Sequence, residues 1–303
     1  MRTFGEGLGK VLLLHGAEST GSTFVPLSRR LVARELTEAG GRGYRLLAPD
    51  LRGWGESGEL SFPWVLEQHL EDLRSLGATV CQGYEGADGH STEGGSLPFD
   101  MVVGHSMGAY IGLLLHNRWP ELFPRVVLID GGYCSPLWLE MGQSEHYELV
   151  LRPVLAWLDE FAGKSYSSLE SFISACRDDP VFLGQWNEEI EQVLVREAVE
   201  EGTAWHRAVN YEACRETLLS FFYHREEIYE AGSGAFDGWL VRSGKGLNGE
   251  DPYISDTALV EWRGRATRME VLDLVDESHE TILVAPDGAE RLVELLATLL
   301  AVP

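Results

Sequence analysis

Ser106 sits in the run Gly104-His105-Ser106-Met107-Gly108, and a serine framed in this way raises a question of chemistry. A hydroxyl is a poor nucleophile at neutral pH; it needs a base to take its proton and a third group to orient that base. The G-x-S-x-G pattern fits a nucleophile elbow, a sharp strand-to-helix turn on which the glycines allow close packing and Oγ is lifted clear of the sheet. The competing reading is a serine N-cap, which any helix start can carry. The apolar run Phe99-Asp100-Met101-Val102-Val103 before it and the long helical pattern after it favour the elbow. A helix starting there also aims backbone N–H groups and the positive end of its dipole at the site.

The chain offers nine histidines as the base. His279 stands out because it follows the last predicted strand in "LVDESHETIL", where a loop leaving the C-terminal edge of a sheet can reach Ser106. His15, in "LLLHG", directly follows the first strand and reads as a brace for the loop there. His105 abuts Ser106 and would point elsewhere on the elbow. His69, His116, His146, His206 and His224 fall in helical patterns, and His90 lies in "GYEGADGHSTEGGSLP", a glycine- and serine-rich stretch expected to be a surface loop.

These residues need a scaffold, and the apolar patterning supplies one. Val11–Leu14, Tyr44–Ala48, Phe99–Val103, Arg125–Asp130, Trp239–Arg242 and Arg268–Leu274 read as strands. Helical spacing covers Thr23–Ala39, Pro63–Leu76, Ser106–Trp119 and Asp287–Leu300. Strands alternating with helices imply an α/β fold with a mostly parallel, doubly wound sheet covered on both faces. The rhythm breaks after Tyr133. From there to about Ala235 the pattern is helical and rich in tryptophan, with Trp138, Trp157, Trp186 and Trp205. The expected division is therefore 1–132 and 236–303 as two parts of one core, with 133–235 as a helical cap or lid insertion. Its aromatic residues either fill a small core of their own or form the underside of a substrate pocket, and the two roles are compatible.

Taken in order, "LLLHG", "PDLRGWGESG", "GHSMGAY" and "SHETIL" resemble the α/β-hydrolase superfamily, in its serine-nucleophile branch. The resemblance spans about Val11 to Leu300 apart from the insertion. It implies Ser106 as nucleophile, His279 as base, and an oxyanion hole made by the backbone N–H groups of Ala17 and Met107. It makes Asp50 a structural turn residue, with Arg52 bracing the same turn. The chain begins almost at the strand carrying His15, so the N-terminal hairpin of that fold is reduced or absent. Ser106 stands where epoxide hydrolases and haloalkane dehalogenases carry aspartate, which disfavours both chemistries. The family's usual position for the acid holds Leu247 or Asn248, with Glu250 and Asp251 the nearest carboxylates. The other known location, at the end of the strand after the elbow helix, holds Asp130 in "VVLIDGG". Asp130 is therefore the first candidate and Asp251 the alternative, although an aspartate before Gly-Gly can also be turn chemistry.

The expected activity is hydrolysis of a carboxylic ester, lactone or thioester of a small to medium, mostly apolar substrate through an acyl-enzyme. The alternatives are C–C bond cleavage or cofactor-free rearrangement or cyclisation by the same triad, and a non-catalytic ligand-binding protein. Forty-eight acidic against 24 basic residues give a formal net charge of -24, which repels polyanions and argues against nucleic acid and anionic membranes as partners. Cys81, Cys134, Cys176 and Cys214 are scattered without metal or redox spacing, so a reduced, cytoplasmic setting is expected. Neither a signal peptide nor a membrane-spanning apolar stretch is legible. No spacing suggests a metal cluster, a dinucleotide loop or a P-loop, and no cofactor is expected.

Overall fold

The computed structural model describes residues 1–37, 43–60, 62–82, 99–161, 163–234 and 236–301. The glycine-rich stretch with His90 lies outside the described residues. Nine strands are present among the described residues: β1 (Arg2–Phe4), β2 (Gly9–Leu14), β3 (Tyr44–Ala48), β4 (Met101–His105), β5 (Val126–Ile129), β6 (Ala198–Glu201), β7 (Ala204–Arg207), β8 (Trp239–Ser243) and β9 (Glu270–Leu274). Seven form one sheet in the order β1-β3-β2-β4-β5-β8-β9. Every pairing in it is parallel except β1 with β3, which places one short antiparallel strand at the edge.

Because side chains alternate across a strand, β2 and β4 feed both faces. Leu12, Leu14 and Val102 enter one apolar cluster, while Val11, Leu13, Met101 and Val103 enter the other. That double burial is why these strands read as unbroken apolar runs. The helices between the core strands are α1 (Val25–Thr37), α2 (Leu66–Gln82) and α3 (Met107–Arg118). Their starts and ends move a few residues from the sequence expectation; α2, for example, begins at Leu66 and continues to Gln82.

Between β5 and β8 the chain runs through α4 (Pro136–Glu140), α5 (Gln143–His146), α6 (Arg152–Phe161), α7 (Leu169–Arg177), α8 (Glu188–Glu197), α9 (Tyr211–Tyr223) and α10 (Arg225–Ala231). A π-helical turn at Tyr147–Leu151 joins α5 to α6. The segment is not purely helical: β6 and β7 pair antiparallel, so His206 lies on a strand rather than in a helix. Gly202, at φ +64°, makes the turn between them. After β8 come α11 (Asp256–Arg265), α12 (Thr281–Val284) and the closing α13 (Pro286–Ala301). Among the described residues no helix is long and apolar enough to cross a membrane.

Candidate active site

The strand ends on the C-terminal side of the sheet deliver the residues singled out above. β4 ends at His105, and Ser106 follows in a conformation that few non-glycine residues adopt, φ 52° and ψ -118°. Ser106 occupies the N-cap position of α3, yet its side chain makes no cap hydrogen bond. The capping reading thus has no contact behind it. The glycines explain how so sharp a turn is accommodated: a Cβ on Gly104 would lie 2.1 Å from the Gly108 carbonyl oxygen, and one on Gly108 2.2 Å from that of Leu14. Strain of this kind persists only where the surroundings impose it.

Asp130 follows β5, also with positive φ, at 47°. Its carboxylate accepts from His279 Nδ1 at 2.7 Å and from the Ser243 hydroxyl at 2.6 Å, in a fully buried setting. Asp251 is exposed, on the loop after β8. Burial by itself would push the pKa of His279 down; the hydrogen bond and charge of Asp130, with the charge of Glu18, outweigh it and hold the imidazole above its usual value. His279 Nε2 carries no hydrogen bond in the protein.

His15 bridges two loops. Its Nδ1 faces the Gly16 carbonyl at 2.7 Å, and its Nε2 accepts from the Leu51 N–H at 3.0 Å. Asp50 accepts from the N–H groups of Gly21 and Glu56 and from Arg2, which fits a structural turn residue. Arg52 pairs with Asp72 at 2.7 Å and so ties that turn to α2. The Ala17 carbonyl accepts from Trp54 Nε1 at 2.8 Å and from Cys214 Sγ at 3.1 Å. Further along the same loop, the Thr20 N–H donates to Glu197 at 2.9 Å, and Glu197 is paired with Arg207 at 2.9 Å with both side chains buried. The loop carrying Ala17 is therefore clamped from the segment between β5 and β8.

Three groups were not anticipated. Glu18 is 1% exposed, and its Oε1 lies 3.8 Å from His105 Nδ1. His105 does not turn away from the site: its Nε2 meets the His279 carbonyl at 2.8 Å and the two rings pack 4.7 Å apart. Burial, helped by the neighbouring His279, pushes His105 down to about 4, so it is neutral at physiological pH. Tyr253 stacks on the other side of His279 at 4.8 Å.

Above these residues lies a pocket lined from the core by Ala17, Glu18, Ser106 and Met107 and from the segment between β5 and β8 by Trp138, His146, Leu151 and Trp157 among others. Its wall is chiefly apolar. Besides Glu18 and Ser106, its polar groups include His146, buried against Trp138 and Phe222 with neither ring nitrogen hydrogen-bonded.

The sequence matches the alpha/beta hydrolase family over residues 11–295, and the chain belongs to that family. Similar solved structures include a thioesterase domain from the curacin biosynthetic pathway, with 19% identity over 97% of this chain and 93% of that one and a TM-score of 0.68. E-2-(acetamidomethylene)succinate hydrolase is similar at 16% identity, 99% and 94% coverage and a TM-score of 0.69. A hypothetical protein of Pseudomonas aeruginosa is similar at 20% identity, 99% and 93% coverage and a TM-score of 0.67. At these identities the likeness is one of fold. No curated relative matches the sequence.

Proposed function

We propose that the protein is a serine hydrolase that cleaves a carboxylic ester, lactone or thioester through an acyl-enzyme. The observation that carries the reading is the Asp130–His279 pair at 2.7 Å, with Nε2 of that histidine unbonded. The strained Ser106, whose hydroxyl caps nothing, directly follows His105, whose ring bonds the His279 carbonyl at 2.8 Å. Asp130 fixes the tautomer of His279, with the hydrogen on Nδ1 and the lone pair on Nε2. Ser106 Oγ attacks the carbonyl carbon while His279 Nε2 takes its proton and then delivers it to the leaving group. The N–H groups of Met107 and Ala17 receive the developing oxyanion, and the first N–H groups of α3 have no acceptor inside the helix to compete with it. Water then attacks the acyl-enzyme by the same proton route in reverse. Catalytic hydrogen bonds are often long before substrate binds and tighten in the complex.

The pocket supports a small to medium, mostly apolar acyl or alcohol portion, with His146 offering a polar contact in a chiefly apolar wall. The segment 133–235 acts in this reading as a cap over the core formed by 1–132 and 236–303. A fluorophosphonate probe should label Ser106, and Ser106→Ala should lose both labelling and hydrolysis of an activated ester. Asp130→Asn should lower turnover by roughly three to four orders of magnitude, and Asp251→Asn should leave it unchanged. Full activity in Asp130→Asn would remove the assigned acid; failure to label Ser106 would remove the enzyme.

A further inference from the structure

Glu18, His105 and His279 form a cluster that hydrolysis alone does not require. Their side chains are 2%, 1% and 0% exposed. Each presents one atom with no hydrogen-bond partner: Oε1 of Glu18, Nδ1 of His105 and Nε2 of His279. One ligand atom from each residue lies within 4.8 Å of the other two. The remaining ring nitrogens are committed, His105 Nε2 to the His279 carbonyl and His279 Nδ1 to the Asp130 carboxylate. A carbonyl and a carboxylate only accept, so a hydrogen sits on each of those nitrogens, and in the neutral rings the lone pairs are on the unbonded ones. Three buried atoms that no protein group hydrogen-bonds thus lie close together, an arrangement that a cation relieves.

The donor set names the cation. Two imidazole nitrogens and one carboxylate oxygen are the three protein ligands of open zinc sites that keep a fourth position for water. Each histidine already gives its far N–H to an acceptor, which is how zinc-binding histidines are oriented. Bonds of about 2 Å in tetrahedral geometry require ligand atoms about 3.3 Å apart. The cluster must therefore contract as the ion binds; both rings are tied by their far nitrogens, so the Glu18 side chain, which packs on Gly16, has to supply the movement.

We propose that Glu18, His105 and His279 bind one Zn²⁺ ion, which takes the lone pair of His279 Nε2 and so shuts off the hydrolytic reaction reversibly. The ion accepts three lone pairs, with water in the fourth position; no covalent bond breaks, and any proton on the three groups passes to solvent. The binding stands apart from the proposed hydrolase activity, while the inhibition rests on it.

The test is calorimetric titration of the full chain with zinc chloride, paired with zinc X-ray absorption and an activated-ester assay. Expected are one ion per chain, two imidazoles in its shell, and inhibition at the binding concentration that chelation with EDTA reverses. Glu18→Gln and His105→Asn, each checked for folding by its thermal melt, should each weaken binding at least about tenfold. His206→Asn, at the exposed Glu201 pair, should not. Zinc binding unaltered in both cluster variants, or no binding at all, overturns the site. Zinc held by two imidazoles in a chain that hydrolyses no ester keeps the site and removes the hydrolase reading; brisk hydrolysis indifferent to zinc does the opposite.

Discussion

Two carboxylates govern the proton on His279. In the proposed mechanism only the neutral imidazole can take a proton from Ser106, so activity should fall on the acid side as pH drops through the pKa of His279. Burial works to lower that pKa, but Asp130 and Glu18 raise it above its usual value, which shifts the acid limb of kcat/KM toward higher pH. His105 and Tyr253, also packed on the ring, are neutral near pH 7. Glu18→Gln removes one raising charge and should move the limb to lower pH. A limb that stays in place in a pH series on an activated ester would show that the Glu18 charge does not reach the imidazole. Ser106, Asp130 and His279 were legible in the sequence because each sits where a strand stops and a glycine, a helix start or a loop announces a turn. Glu18 was not, because its significance comes from His105 and His279, which are distant in the chain and meet it only through the sheet order.

At the scale of elements, the buried Glu197–Arg207 pair joins α8 and β7 to the loop after β2. Arg207→Ala leaves a carboxylate buried without its partner, which typically costs about 3–5 kcal/mol. For a chain of this length the melting temperature should fall on the order of 10 °C, as calorimetry would record. An unchanged melt would mean that the clamp contributes nothing. The core strands were predictable because burial on both faces leaves continuous apolar runs between turn residues. The β6–β7 hairpin was not. Val199, Glu200 and Glu201 are exposed, so "AVEE" carries no apolar alternation, and four-residue strands between helices give periodicity too little length to act on. Its stability comes instead from pairing and from the buried Arg207, neither of which leaves a local pattern.

Over the whole molecule, the net charge of -24 works against compactness. Many ion pairs are exposed, such as Arg74–Glu71, and contribute little against that surplus. Screening should then stabilise the fold: the melting temperature should rise as sodium chloride goes from about 10 mM to about 0.3 M, where the screening length falls below 10 Å. A melting temperature that drops over that range would mean local pairs outweigh the general repulsion.

The pocket draws its base from the ends of core strands and much of its wall from residues 138–158, a stretch with its own helices and its own tolerance for change. Substitutions at Trp138, His146 or Trp157 can reshape the space offered to a guest while leaving Ser106, Asp130 and His279 untouched. On the proposed reading, reactivity and preference therefore sit on separate parts of the polypeptide, so the guest can be changed without rebuilding the groups that cut it.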